Sequence, residues 1–243
     1  MTKRIVAIAF IFICTSVAWA VLGGTIFSRT YSLDEIAENR VASTWGAPQN
    51  QAPPIASFKE MVPRKEESTE NGKKIVKTIK DEVTTWLPLE SSAVDVALDL
   101  EHRQKGLLWY STYKVGFNGN YGFRNTSDKE QDVTFVLNFP ASKAIYDDLI
   151  FTVDGGPVPV TNEENAALGR VKLQAGQTAH LSVGYRSQGL NEWRYSFGKN
   201  DVAQVRDFTL KMKTNFKDID FPDNTLSPSE KHETDNGWDL GWS

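Results

Sequence analysis

Tryptophan is the residue type in this sequence with the clearest capacity to bind a ligand, because the chain has seven of them in 243 residues. Four do not fit readily into a predicted core face: Trp86, Trp193, Trp238 and Trp242. An exposed indole ring can pack against a sugar or against an apolar part of a partner protein. These four residues are therefore the predicted ligand or partner surface.

Metal and cofactor chemistry finds little support in the residue pattern. The three histidines, His102, His180 and His232, are far apart and lack the spacing of zinc ligands. The acidic segment 218–224 offers oxygen ligands, but it lacks the central glycine of an EF-hand loop, and Ser229 stands where that loop needs glutamate. The sequence therefore predicts no metal site and no cofactor.

Motifs for catalysis are equally weak. The sequence has no Gly-x-Ser-x-Gly nucleophile elbow, and its glycine-rich stretch 116–122 lies in a strand pattern rather than in a phosphate-binding loop. Asp95, Asp99 and Glu101 share one strand face, where a carboxylate pair could cleave a glycosidic bond. A solvated acidic stripe is the simpler interpretation, so we predict that the chain is not an enzyme.

An uncharged apolar run over residues 5–27 precedes all these candidates. About 20 such residues span the hydrocarbon core of a bilayer, and Lys3 and Arg4 before the run favour a cytoplasmic N-terminus. Ala18-Trp19-Ala20 has the form of a signal-peptidase site, so cleavage after Ala20 is the alternative. Apolar character continues for seven residues past that site, which favours a retained transmembrane helix over 5–27 behind a cytoplasmic tip, 1–4.

The charge balance narrows the classes of partner. Lys3 and Arg4 are the only charges before Ser28, so the remainder carries 25 of the 27 basic residues and all 31 acidic residues, a formal charge of −6. This acidity argues against nucleic acid as a partner and against a polybasic membrane-surface role. The only cysteine, Cys14, lies in the apolar run, so the remainder has no disulfide.

Alternation of apolar and polar residues begins near residue 55 and is typical of strands. Residues 57–63 and 74–83 predict a hairpin, and 94–100 predict a half-buried strand. Residues 107–123 predict one long strand, because a tight turn at Asn118-Gly119 would place its aromatic residues on opposite faces. The aromatic stripe of that strand is expected in the core, and its members are Trp109, Tyr113, Phe117, Tyr121 and Phe123.

Shorter strands continue to the C-terminus. They are expected over 133–139, 149–153, 158–160, 171–173, 179–185, 193–197 and 208–216, with short helices near 141–147 and 227–231. Many short strands separated by turns predict an antiparallel β-sandwich. The predicted fold class is therefore mainly β, an antiparallel β-sandwich preceded by one N-terminal transmembrane helix.

The predicted domain organisation follows from these elements. Residues 28–54 form a juxtamembrane spacer, with a short helix capped by Ser32 and an extended stretch at Pro53-Pro54. Residues 55–243 form the β-sandwich domain. Because 237–243 have the pattern of an opening strand, we expect this domain to be incomplete and the sequence to be part of a longer chain.

Several short motifs together resemble a known family. They are Trp45-Gly46-Ala47-Pro48-Gln49, then Pro53-Pro54, then Leu87-Pro88-Leu89, and Arg103-Gln104-Lys105-Gly106-Leu107 at the start of the long strand. With the N-terminal membrane segment they resemble the bacterial CreD family of inner-membrane proteins. The resemblance implies a periplasmic β-domain followed by further membrane helices, which this sequence lacks, and a link to envelope stress and antibiotic-response regulation. It implies no catalytic residues.

Three functions are compatible with these observations. The leading hypothesis is a non-enzymatic protein of the bacterial inner membrane, anchored in the lipid bilayer through residues 5–27, whose periplasmic β-domain contacts a protein partner. The alternative is an anchored carbohydrate-binding module that uses exposed aromatic residues, and an extracytoplasmic hydrolase is the weakest. Burial of the tryptophans and the spacing of carboxylates distinguish these hypotheses.

Overall fold

The computed structural model describes residues 2–70, 73–105, 108–142, 144–197 and 206–243, with the backbone only for 30–44, 66–70, 73–77, 105 and 108. The chain divides into two compact units, Met1–Thr44 and Trp45–Ser243. The first unit is helical. The second, called the β-domain below, is built of strands.

The helix α1 (Thr2–Trp45) has 44 residues. Its segment Thr2–Arg29 is long and apolar enough to cross a membrane, and none of it is buried in protein. At 1.5 Å per residue these 28 residues extend for about 42 Å, more than the roughly 30 Å of a bilayer's hydrocarbon core. The predicted membrane segment is therefore a continuous apolar helix.

The segment expected as a spacer, 28–54, is largely helical. Ser32 does not begin a new helix, because α1 continues without a break to Trp45. No proline precedes Pro48, so nothing interrupts the backbone hydrogen bonds of the helix before that point. Gly46 ends α1 with a φ of +109°, a backbone conformation that glycine adopts readily and other residues do not.

Fourteen strands form the described part of the β-domain. They are β1 (Ala47–Gln51), β2 (Ile55–Glu70), β3 (Lys73–Trp86), β4 (Leu89–Lys105), β5 (Leu108–Arg124), β6 (Gln131–Asn138), β7 (Tyr146–Val153), β8 (Gly156–Pro157), β9 (Val160–Glu163), β10 (Ala166–Leu173), β11 (Thr178–Tyr195), β12 (Phe208–Thr214), β13 (Glu230–Glu233) and β14 (Trp238–Trp242).

The strands make two sheets. Sheet A has nine strands, in the order β13-β14-β12-β4-β5-β11-β7-β8, with β1 also paired to β11. Sheet B has five, in the order β3-β2-β6-β10-β9. The described pairs are antiparallel except for β1 with β11 and β4 with β12, which are parallel. The expected mainly antiparallel fold is confirmed, with two parallel pairs that join segments distant in sequence.

An aromatic core lies between the two sheets. Phe117, Tyr121 and Phe123 of β5 are at most 1% exposed, and Phe135 of β6 is fully buried. The rings of Phe123 in sheet A and Phe135 in sheet B meet edge to face, with centroids 5.7 Å apart. This packing of one sheet on the other confirms the predicted sandwich.

Most strand predictions are confirmed. β2 and β3 form the expected hairpin, and β5 continues through Asn118-Gly119 without a turn. The short helices expected near 141–147 and 227–231 are wrong for the described residues, because Tyr146 begins β7 and Glu230 begins β13. Segments this short form helices poorly, and Pro228 lies inside the second one.

Trp109 departs from the core stripe to which it was assigned. Tyr113, Phe117, Tyr121 and Phe123 are buried as expected, but Trp109 is 65% exposed. In sheet A the strand β11 accompanies β5 only from Thr112 onward. The paired strands β4 and β5 therefore extend past the end of β11, and Trp109 lies on the expected face but beyond the core.

Candidate functional site

A groove of about 630 Å³ opens where the chain passes from sheet B to sheet A. Its lining comes from the start of β2, the end of β3 with the connection to β4, the end of β5 with the following loop, and two residues from other loops, Gly176 and Arg206. Among the four predicted tryptophans, Trp86 lines this groove. Five separate segments of the chain therefore converge on one concave surface.

The wall beside Trp86 is fixed by the connection between β3 and β4. The amide of Leu87 donates to the carbonyl of Ala56 in β2 at 2.8 Å. Leu87 and Leu89 are each 7% exposed and belong to the core, while Pro88 between them is exposed. Trp86 is 54% exposed, so its ring remains accessible on a rigid support.

The part of the lining after β5 is held by Asn125. Its side-chain amide donates to the carbonyl oxygens of Lys129, Leu173 and Gln174, each at 3.0 Å. Its Oδ1 accepts hydrogen bonds from the backbone and the hydroxyl of Ser127. Because Asn125 is fully buried with both polar atoms bonded, the sequon-like Asn125-Thr126-Ser127 serves as a structural loop anchor in this fold.

Three charged side chains line the groove. Its lining contains two arginines, Arg124 and Arg206, and one carboxylate, Glu90. Glu90 lies 4.0 Å from Nη1 of Arg124, and the Arg124 side chain is 53% exposed. This separation exceeds that of a charge-assisted hydrogen bond, so most of the donor capacity of Arg124 faces outward.

The other predicted tryptophans lie elsewhere. Trp193 is half-buried near the end of β11, its ring stacks on Tyr195 with centroids 6.5 Å apart, and its buried Nε1 has no hydrogen-bond partner among the described residues. Trp238 and Trp242 are half-buried on β14 and hold the loop before β13. Their Nε1 atoms donate to the carbonyls of Lys217 and Leu226, each at 2.9 Å.

The strand order separates these tryptophans. Within sheet A, the strands β12, β4 and β5 lie between β14 and β11. At about 4.8 Å per strand, the strands β14 and β11 that carry Trp238, Trp242 and Trp193 are roughly 19 Å apart. Trp86 lies in sheet B. The four tryptophans therefore do not form one platform, and Trp86 is the one beside a groove.

Two glutamines in the segment after α1 were not predicted as important. This junction segment, residues 45–51, contains β1, which pairs with β11. Gln49 and Gln51 are at most 1% exposed. Nε2 of Gln49 donates to Oγ of Ser187 and the carbonyl of Gln188, each at 3.0 Å. The available signal was their spacing of two, with Gln49 ending the Trp45–Gln49 motif and Gln51 following it, which places both on one strand face.

Gly46 allows the junction segment to approach β11 closely, because a Cβ atom on it would lie 2.3 Å from the carbonyl oxygen of Gln188. Gly189 of β11 makes room for Tyr113 of β5 in the same way, since a Cβ atom there would lie 2.1 Å from the Tyr113 ring. The Tyr113 hydroxyl also donates to the carbonyl of Glu192 at 2.5 Å. The segment that follows α1 is therefore part of the β-domain core rather than a tether.

Candidate catalytic carboxylates lie on the surface. Asp95 and Asp99 are exposed, and Glu101 contacts Arg103 at 2.7 Å and Lys114 at 2.5 Å. Hydrogen bonds from Lys114 and Arg103 hold the pKa of Glu101 below its usual range. A general acid requires a raised pKa, which Glu101 lacks, and Asp95 and Asp99 are solvent-exposed.

The histidines, like the candidate carboxylates, lie on the surface. His102, His180 and His232 are all exposed. Among the described residues, no three histidine, cysteine, aspartate or glutamate side chains converge as metal ligands would.

The strongly displaced pKa values belong to tyrosines: burial raises the pKa of Tyr146 to about 12 and that of Tyr185 well above its ordinary value. These hydroxyls stay neutral and act as core hydrogen-bond donors.

Comparison with solved structures finds distant similarity. A candidate nutrient-binding protein from Legionella pneumophila has a similar structure, with a TM-score of 0.51 and 12% sequence identity over 81% of this chain and 67% of that chain. At this identity the likeness concerns the fold alone. An M1 zinc metallopeptidase from Deinococcus radiodurans, bound to a Tyr-Ser-Ala substrate, gives a TM-score of 0.39 and 11% identity over 64% of this chain and 38% of the peptidase.

Comparison of the sequence with protein families identifies the family of this chain. No curated protein sequence matches the chain. The family described as "Inner membrane protein CreD", which is not known as an enzyme family, matches residues 1–242. The match includes the apolar segment of α1 and all of the β-domain except Ser243. The chain therefore belongs to the CreD family of inner membrane proteins.

Proposed function

We propose that this protein is a non-enzymatic envelope protein, held in the inner membrane by α1, whose β-domain binds another protein on the periplasmic side. Lys3 and Arg4 before the apolar segment support a cytoplasmic N-terminus by the positive-inside rule. The link to envelope stress that the family resemblance implies is the proposed physiological setting. The observation that carries the proposal is the β2–β3 hairpin.

This hairpin extends well beyond sheet B. β2 pairs with β3 from Ser57 to Glu70, but it pairs with β6 only over residues 55–57. Among the described residues, no further strand pairs with 58–70 or with 73–86. A two-stranded hairpin is only marginally stable in water, and its unpaired edges are suited to bind another chain.

Exposed apolar side chains lie on the projecting part. Val62 is 39% exposed, and Ile79 and Val83 are each 41% exposed. The register places these three on one face, because Val62 pairs with Asp81, Ile79 with Arg64, and Val83 with Glu60. That face continues from the buried Phe58. Met61, on the opposite face, is 63% exposed.

The base of the hairpin is held against the sandwich. Lys129 contacts the carboxylate of Glu60 at 3.0 Å, and Lys59 contacts Glu82 at 2.9 Å across the two strands. Exposed pairs like these contribute little stability individually; the pair of Lys129 and Glu60 joins the hairpin to the loop after β5, and the pair of Lys59 and Glu82 joins its two strands. Val62, Ile79 and Val83 share this face with the exposed ion pair of Arg64 and Asp81, 3.5 Å apart, so the surface offered to a partner combines apolar and charged side chains.

Site-specific photocrosslinking in living cells tests this function. A photoreactive phenylalanine analogue at position 62 or 83 should give a discrete crosslinked protein, and the same analogue at the exposed position 172 should not. Changing Val83→Asp should abolish the crosslink from position 62 without removing the protein from the membrane. Equal crosslinking from positions 62, 83 and 172, or none from any of them, would contradict the proposed function.

A further inference from the structure

We propose that the groove beside Trp86 binds a saccharide that carries a carboxylate group. This inference goes beyond the proposed function, because it concerns a small ligand rather than a protein partner. It rests on the groove lining and not on the projecting part of the hairpin. Either proposal can fail without the other.

The apolar part of the lining suits a sugar ring. Trp86 is 54% exposed, and Pro54 and Pro88 line the same groove. One face of a pyranose ring carries C–H groups that pack against an indole ring. The volume of about 630 Å³ lies within the range of small-ligand sites in proteins and exceeds the volume of a single sugar ring.

The charged part of the lining selects a carboxylate. Arg124 belongs to the lining, and the Arg124 side chain is 53% exposed. A guanidinium group carries five donors in a planar fork that matches a carboxylate. Glu90 is too distant from Arg124, at 4.0 Å, to occupy that fork fully, so a ligand carboxylate has donors available.

The rim of the groove is formed before a ligand arrives. The Asn125 amide holds three carbonyls of two different loops, and the backbone amides of Asn125 and Gly176 bond with the carbonyls of Gln177 and Asn125. Thr126 next to it is exposed and offers a hydroxyl to the groove. A rigid rim lowers the entropy lost on binding, which favours a polar ligand with many hydroxyl groups.

Saturation-transfer NMR on the detergent-solubilised full chain provides the test, with a matched pair of probes. N-acetylmuramic acid carries a carboxylate, and N-acetylglucosamine is the same ring without it. The acid should bind with millimolar or better affinity, and the neutral sugar should bind about tenfold more weakly or not detectably. Saturation should be strongest at the ring protons.

Three variants and one control assign the site. Trp86→Ala should remove binding, Trp86→Phe should retain part of it, and Arg124→Met should reduce the preference for the acid to less than about threefold. Trp109→Ala removes a somewhat more exposed indole, 65% against 54% for Trp86, that does not line the groove, and this variant should bind like the original chain. Near-UV circular dichroism confirms that each variant is folded.

Several results would overturn the inference. Equal affinity for the acidic and neutral sugars would exclude carboxylate selection. Equal loss of binding in Trp109→Ala and Trp86→Ala would exclude the groove as the site. A short peptide with a free C-terminal carboxylate that competes as well as the acidic sugar would show that the ring is not recognised, and absence of binding to either sugar would reject the proposal outright.

Discussion

The hydroxyl of Tyr185 donates a hydrogen bond of 2.7 Å to Oε1 of Gln51, and both side chains are at most 2% exposed. Nε2 of the same glutamine donates to the carbonyls of Ala52 and Asn138. One buried side chain thus connects the junction segment to β11 in sheet A and to the end of β6 in sheet B. The chain leaving α1 is therefore built into the core at a defined position.

Removing the Tyr185 hydroxyl should weaken the β-domain. Tyr185→Phe leaves Oε1 of Gln51 buried without its donor, which costs about 1–3 kcal/mol. Ser196→Ala is the control, because the Ser196 hydroxyl bonds to Asn50 in an exposed position and its loss should cost below about 0.5 kcal/mol. Urea unfolding followed by near-UV circular dichroism measures both, and equal stability of Tyr185→Phe and the original chain would refute the stated role.

Gly46→Ala should destabilise the junction segment. The new Cβ would meet the carbonyl oxygen of Gln188 at 2.3 Å, and the φ of +109° is unfavourable for alanine. Strain of this kind costs about 1–3 kcal/mol, and limited proteolysis between residues 45 and 55 should become faster. Gly116→Ala is the control, since its Cβ would lie 4.0 Å from Ala97. Unchanged proteolysis in Gly46→Ala would contradict the close packing of Gly46 against Gln188.

Asn125→Asp should destabilise the groove rim. The change replaces a donor to three carbonyls with a carboxylate oxygen, so these acceptors lose their partner and a buried charge faces them. We expect a loss of about 3–5 kcal/mol, measured by thermal unfolding. Asn120→Asp is a matched control, because the exposed Asn120 only accepts from Ser182 through Oδ1, which a carboxylate does as well. A loss of similar size in both variants would argue against a special role for Asn125.

The pKa of Glu101 should depend chiefly on Lys114. The side-chain hydrogen bond from Lys114 is the largest cause of its lowered value, so Lys114→Met should raise the pKa of Glu101 towards its ordinary value. Since the folded-state pKa is depressed, the stabilisation is present above the unfolded-state pKa and is lost as the pH falls through the folded-state value. Carboxyl carbon-13 NMR titration measures this shift.

The control for Glu101 is Lys172→Met. Lys172 contacts Glu130 and should leave the titration of Glu101 unchanged. If Lys114→Met left the pKa of Glu101 where it is in the original chain, the ion-pair assignment would be wrong.

Local periodicity predicts the strands of this fold well, because each strand follows its own alternation. The unbroken β5 is an example, since the alternation of side chains between the two faces of a strand was enough to exclude a turn at Asn118-Gly119. Trp109 shows the limit of this reasoning. Alternation identifies the face on which a side chain lies, but burial of that side chain also requires neighbouring strands that extend equally far. The parallel pairing of β4 with β12 depends on segments more than a hundred residues apart, which no local pattern contains.

The candidate site was less predictable than the fold. Trp86 was among the predicted surface residues, but its groove also needs Arg124, Gly176 and Arg206, which meet only after both sheets have formed. Gln49 and Gln51 were overlooked because polar residues are usually exposed. Their burial follows from bonds to Ser187 and Tyr185 on a different strand.

The most direct test of the account is the membrane topology of the β-domain. The first variant, Cys14→Ser with Lys172→Cys, carries its single thiol on the exposed surface of β10, where the Lys172 side chain is 72% accessible. The second variant, Cys14→Ser with Thr2→Cys, carries its single thiol before the apolar segment. We predict that a membrane-impermeant maleimide labels position 172 in cells with an opened outer membrane, and position 2 only after the inner membrane is broken. Protection of position 172 until the inner membrane is broken, or a soluble chain beginning at Val21, would contradict the account.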